Sequence, residues 1–196
     1  MFKVLLVLAL IAFGGWQWWT TRAVAPGPGV VAPQAPLQVD LAGAAEFGHR
    51  GYQFRPLARF RVEARVLGVE RYRIGREAEL APLDFTLGWG PMSDDKVLGG
   101  LTISQGNRNY YYSWKEQPPI PQAQIVANSS NMHLIPADSE VEQQLGKVRV
   151  GQVVELSGNL VAIRSTDGWQ WQSSLSRHDT GNGACEVVWV KEVRIR

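Results

Sequence analysis

Hydrophobic and polar residues alternate most regularly from Ala58 to Val66. Ala58, Phe60, Val62, Ala64 and Val66 are separated by Arg59, Arg61, Glu63 and Arg65. A period of two predicts a half-buried strand in "PLARFRVEARVLGV". "QVVELSGNLVAI" repeats the signal, with Val154, Leu156, Leu160 and Ala162 on one face and Gly158 marking a bulge or sharp bend. A further strand is expected in "CEVVWVKEVRIR", where Val187, Trp189, Val193 and Ile195 fall on the face of Cys185. Asp167–Gly168 turns the chain into "WQWQSSL", which puts Trp169 and Trp171 on one face. "LTISQ" and "RNYYYSWK" read as a hairpin across Gly106–Asn107, and "QIVANSS" as another short strand.

Helical signals are few. "DSEVEQQLGK" predicts a short helix with Ser139 and Glu142 as a capping box and Gly146 as its end. Ser93 is placed to cap a second turn, with Asp94 and Asp95 at its positive end. The rest of "GREAELAPLDFTLGWGPMSDDKVLGG" reads as irregular. The whole predicts a mainly β domain, a small, strongly bent sheet or OB-like barrel with one or two short helices.

The first 38 residues obey other rules. Val4 to Trp19 carries no charge and Lys3 precedes it, which fits a membrane anchor or a signal peptide. These residues rise about 24 Å as a helix, short of the roughly 30 Å hydrocarbon core, so Trp16, Trp18 and Trp19 are expected at the interface. Cleavage after Ala25 would leave Pro26 next to the cut, which favours the anchor. The chain divides into an anchor or signal (1–22), a Pro/Gly/Ala linker holding the domain off the membrane (23–38) and one β-rich globular domain (39–196). Lys3 and the terminal amine against Arg22 orient the N-terminus to the cytoplasm. The expected location is the inner membrane, single-pass, with the domain in the periplasm; a soluble periplasmic protein after cleavage is the alternative.

Charge narrows the partners. Removing Lys3 and Arg22 from the 20 basic residues leaves 18 against 18 acidic ones, so the domain is neutral and no nucleic-acid partner is expected. Basic residues cluster only between Arg50 and Arg76. Arg59, Arg61 and Arg65 are expected to share one outer face and bind an acidic partner or anionic lipid headgroups. Trp89 in "GWGPMSDD" is a further expected binding residue. Tyr110, Tyr111, Tyr112 and Trp114, like Trp169 and Trp171, serve either as stacking platforms or as core.

The chemistry-bearing residues are sparse. A single cysteine forms no internal disulfide, and His49, His133 and His178 have no metal-ligand spacing, so neither a metal nor a cofactor is expected. Cys185 could act as a nucleophile with His133 or His178 as base and Asp179 or Asn131 orienting the imidazole. Against this, Cys185 opens a strand behind a Gly181–Gly183 turn, where free cysteine packs as a small hydrophobe. Asp179 and Thr180 then hydrogen-bond the turn. Asp94 and Asp95 are adjacent and solvated rather than converging across a cleft.

The phrases "LAPLDFTLGWGPMSD", "SSNMHLIPA" and "WQSSLSRHDTGNGACEVVWV" resemble a family of small, N-terminally anchored bacterial envelope proteins, over most of the chain after residue 55. The resemblance brings no activity and no catalytic residue; it implies only a bacterial envelope protein. The expected function is a non-enzymatic interaction module that docks an envelope or membrane protein. The alternative is a periplasmic cysteine hydrolase using Cys185 with His133 or His178.

Overall fold

The computed structural model describes residues 2–25, 27–177, 179, 181 and 183–196, and only the backbone of residues 2–4, 9 and 16–21. Helix α1 (Phe2–Thr21) precedes strands β1 (Leu37–Asp40), β2 (Phe47–His49) and β3 (Tyr52–Arg71). Helix α2 (Arg76–Leu80) leads into β4 (Leu83–Gly88), a 3-10 turn (Gly90–Ser93) and α3 (Asp95–Leu98). A hairpin of β5 (Thr102–Gly106) and β6 (Asn109–Ser113) is followed by α4 (Gln122–Ala127) and β7 (Ser129–Pro136). Helix α5 (Ser139–Lys147), β8 (Val153–Arg164), β9 (Gln170–Gln172) and β10 (Glu186–Ile195) complete the chain. It is mainly β, with short helices after the first.

The sheet closes on itself. β3 pairs with β4, β4 with β7, β7 with β10, β10 with β8, and β8 again with β3. β7 and β10 run parallel and the other neighbours in the ring antiparallel. The length of β3 makes closure possible: residues 53–65 pair with β8 and residues 65–71 with β4. β1 and β2 lie along β3, and β9 along β8.

Strand alternation fills the interior. Phe60, Val62 and Val66 meet Phe85, Leu87, Met132, Leu134, Leu156 and Val188 there. α5 covers one end, adding Val141 and Leu145, and Val148 just beyond it joins the same cluster. A second cluster forms outside, where Phe54, Ile135, Val161, Ile163, Val187 and Trp189 pack with Leu80 of α2. Gly158 lets β10 approach β8 closely, because a Cβ there would run into the Trp189 carbonyl.

Several elements differ from the expectations, each for a local reason. β4 and β7 are buried on both faces, so neither alternates, and "LDFTLG" and the centre of "SSNMHLIPA" give no period-two signal. "QIVA" belongs to helix α4, not to a strand. The hairpin is present, but its turn is Asn107–Arg108, both at positive φ (52° and 64°), one position later than Gly106–Asn107. A register shift between Val190 and Glu192 turns Val193 into the interior, away from the face of Val187 and Trp189. Asp138 rather than Ser139 caps α5, accepting from the Val141 amide at 2.9 Å, and Gly146 lies inside the helix. Asp94 rather than Ser93 caps α3, accepting from the Lys96 amide at 2.8 Å.

The linker is not a free spacer. Val24 N–H donates to Val150 at 2.8 Å, Gly90 N–H donates to Ala32 at 2.8 Å, and Ala32 is fully buried. Ser93 Oγ accepts from the amides of Val31 and Ala32. Pro26, the expected post-cleavage residue, and the side chains of Trp16, Trp18 and Trp19 lie outside the described residues. Among the described residues no helix is long and apolar enough to cross a membrane. The strongly apolar part of α1 ends at Phe13, and Gly14, Gly15 and Gln17 dilute the remainder of the helix.

Candidate binding cleft

β7 and β10 begin at the end of the ring opposite α5, and that end is polar. Glu186 has the strand parity of Val188 and Val190, so its side chain points inward, and it is 1% exposed. Arg177 Nη1 meets it at 2.5 Å and stands 5.2 Å from the centroid of Phe60, an interior ring. Ser130 Oγ also donates to Glu186, and Arg177 Nη2 donates to the Gln38 side chain on β1. Burial pushes the Glu186 carboxyl above its ordinary value, opposed by Arg177 and Ser130. The pair therefore plugs the interior with charge that is internally matched.

Beside this plug lies a cavity of about 180 Å³. One wall is Asn109, Tyr110 and Tyr112 of the hairpin; the floor is Ser129, Ser130 and Asn131 of β7 with Cys185 and Glu186; the far wall is Ser176, Arg177 and Asp179. Tyr110 Oη is 2.9 Å from Ser129 Oγ, which donates to the Ile125 carbonyl at 2.6 Å. Burial pushes the Tyr110 phenol up to about 12, so it stays neutral. Tyr110 and Tyr112 on β6 and Trp114 just beyond it succeed one another, with centroids 5.8 and 6.2 Å apart.

A buried polar network fixes the hairpin over the outer face of β4 and β7. Asp84 is fully buried, and its carboxylate accepts from Arg108 Nη1 at 2.7 Å and contacts His133 Nδ1 at 2.9 Å. Asn131 donates to Asp84 at 3.3 Å and to the Arg108 carbonyl at 3.1 Å, and accepts from Gln105 at 2.8 Å. The Arg108 guanidinium stacks 3.8 Å from the Tyr72 ring centroid. His133 itself faces Trp171 at 5.0 Å.

Cys185 and His133 share this outer face, but not as nucleophile and base. The parallel register sets Val187 opposite His133, so Cys185 falls across from Asn131, two positions away. The thiol donates to the Arg108 carbonyl at 3.6 Å. Burial first, then the neighbouring Glu186 charge, pushes it up to about 11, against an ordinary thiol near 9. Asp84, not Asp179 or Asn131, holds the imidazole; the Asp179 carboxylate accepts from Ser174 Oγ at 2.6 Å. His178 and Thr180 lie outside the described residues. His49 packs edge-on to Trp189 and Phe54 in the second cluster, away from the cleft.

The expected arginine face is broken up. Arg59 and Arg61 are exposed, but Arg61 pairs with Glu155 at 2.7 Å. Arg65 has the strand parity of Arg59 and Arg61, but at 7% exposure it is covered by Asp95 (2.6 Å) and the Ser93 carbonyl (3.3 Å). Trp89, the other expected binding residue, is 1% exposed and packs in the interior cluster. Among the described residues no group of histidine, cysteine and carboxylate side chains could hold a metal.

Sequence reasoning named Tyr110, Tyr112 and Cys185 but missed Arg177, Glu186 and Asp84. The available signal was a carboxylate inside an otherwise apolar strand, Asp84 in "PLDFTLG" and Glu186 in "CEVVWV". Compared with known proteins, the chain matches no family model and no curated sequence.

Proposed function

We propose that this chain is a non-enzymatic recognition module of the bacterial envelope, tethered by its N-terminal helix and binding through the cleft beside Arg177 and Glu186. The carrying observation is a cavity lined by aromatic rings and matched polar groups whose cysteine is held as a protonated thiol. A site built for cysteine chemistry needs a thiolate with a base in reach, whereas the Cys185 thiol donates to the Arg108 carbonyl and lies two strand positions from the residue opposite His133.

The order of the strands supports this. Numbered in chain order, the ring strands run 1-2-3-5-4 and back to 1, with strands 3 and 5 parallel and a helix between 3 and 4. We read this as an OB-type barrel, whose ligands meet one sheet face and the loop between strands 4 and 5. From the segment between β8 and β10, Ser176, Arg177 and Asp179 form one wall of the cleft. Fold alone supplies an analogy, and the site carries the weight.

A second reading has one observation of its own. β1 pairs only with β3 among the described residues, and its Leu37 and Val39 are 62% and 49% exposed. An exposed apolar edge of this kind suits a protein partner that adds a strand. Anionic headgroups draw less support, because Arg61 and Arg65 are both engaged by carboxylates.

Photocrosslinking in intact envelopes tests the cleft. A photoreactive group at Asn109, inside it, should give a specific adduct that the same group at exposed Thr102 does not. Adducts from neither position, or the same adducts from both, would contradict the cleft reading.

A further inference from the structure

β1 ends the sheet with one edge uncovered. Its register on β3 sets Leu37 opposite Arg61, Gln38 opposite the interior Phe60 and Val39 opposite Arg59. Just beyond the strand, Leu41 N–H donates to the Leu57 carbonyl at 2.8 Å, which fixes the alternation of the ladder. The backbone groups of Leu37, Val39 and Leu41 turn towards β3, and those of Gln38 and Asp40 turn away from it. Among the described residues no strand meets them there. The side chains divide by the same parity. Gln38 reaches Arg177 and the Leu175 carbonyl on the inner side. Leu37 and Val39 stand on the outer side, 62% and 49% exposed.

This edge is complementary to itself. From Leu37 to Leu41 the chain reads Leu-Gln-Val-Asp-Leu, nearly the same in both directions. An antiparallel pair of such strands centred on Val39 sets one Val39 opposite the other, each Leu37 opposite a Leu41 and each Gln38 opposite an Asp40. Gln38 and Asp40 then exchange backbone bonds through the groups that already face outward. Val39 falls at the non-hydrogen-bonded site, where side chains come closest. The neighbouring registers are worse. Centring on Gln38 asks Pro36, which has no N–H, to pair with Asp40. Centring on Asp40 sets two carboxylates opposite each other.

We infer that β1 is a homodimer edge: two copies of this chain join their β1 strands antiparallel about Val39, so that the sheet of one runs on into the sheet of the other. This builds on the strand-addition reading above, names its partner as a second copy, and makes no use of the cleft. β1 is four residues long, so the contact is small and the dimer weak.

A covalent trap reads a contact of this kind. In the full chain in detergent, Val39→Cys puts one thiol opposite another at a Cα separation of about 4.5 Å, within reach of a disulfide. Leu37→Cys, on the same face, stands opposite Leu41 and about 14 Å from its own equivalent. Under mild oxidation Val39→Cys should form a disulfide dimer about tenfold faster than Leu37→Cys or Thr102→Cys, with the wild-type chain and its half-buried Cys185 as background. Adding Asp40→Pro removes an outward N–H and spares those bonded to β3. It should slow the trap about tenfold, whereas Asp40→Ala should not. A circular-dichroism melt confirms that each variant is folded, and the contrast between positions 37 and 39 decides the matter even if Asp40→Pro does not fold. Equal trapping at positions 37, 39 and 102, or trapping that survives Asp40→Pro in a folded chain, would overturn the dimer. The same oxidation in intact envelopes separates the two readings. A disulfide from Val39→Cys to a different protein, with no homodimer, leaves strand addition standing and removes the second copy; no adduct of either kind removes both.

Discussion

At the scale of single residues, burial decides what each reactive group can do. Cys185 is a thiol because desolvation and the Glu186 charge both penalise its ionised form. Its pKa is raised on folding from 9.0 to about 11, so this contribution to stability is complete below the ordinary thiol range and is lost as pH rises towards 11. Cys185→Ala should lack that alkaline loss, which melts at graded pH would reveal. Cys185→Ser keeps a donor for the Arg108 carbonyl and should cost about 1 kcal/mol or less. A thiol-specific reagent at neutral pH should label the folded protein slowly and the denatured chain fast; equal rates would contradict the assignment.

Glu186 behaves in the same sense. Its pKa is also raised, so its contribution is present below the ordinary carboxylate range and fades as pH rises through the raised value. Melting temperature should gain from mild acidification at this site, and Glu186→Gln should remove that gain. Neither residue's state was legible from sequence. A cysteine and a glutamate before "VVWV" look alike in any strand until the parity of β10 and its partners are known.

Elements were legible where one face is wet. The first half of β3, with Arg59 and Arg61 outward, announces itself by alternation. β4 and β7 do not, since packing on both sides erases the period, and the polar residues they carry, Asp84, Asn131 and His133, are buried in mutual hydrogen bonds. Those bonds hold the hairpin down. Arg108 inserts from its turn to meet Asp84, the Ala81 carbonyl at 2.9 Å and the face of Tyr72. Arg108→Ala leaves Asp84 buried without its main counter-charge and should cost on the order of 3 kcal/mol. The loss should be local: hydrogen exchange across residues 102–113 should accelerate while β3, β8 and β10 keep their protection. Uniform acceleration would show that the hairpin and the ring open as one unit.

At the scale of the whole molecule, composition and short strands pointed to a mainly β chain, and the structure has that character. Closure of the ring was not legible, because it depends on β3 reaching two partners and on β8 pairing across about a hundred residues. The cleft was invisible for the same reason: its walls come from the hairpin, the start of β7 and the segment before β10. The docked linker leaves little free chain between α1 and the ring, since Val24 is fastened beside Val150. If α1 anchors the chain, the protein should stay with membranes through a high-salt wash and leave only with detergent. Release by salt alone would count against the anchor.

The central claim is that one cleft, beside Arg177 and Glu186, is where this protein meets its partner. Hydrogen exchange of the full chain with and without isolated envelope material addresses it most directly. The account predicts new protection confined to residues 109–112, 129–131 and 176–186, the three walls of the cleft. Protection along β1 or the exposed arginines of β3 instead, with those three segments unchanged, would contradict it.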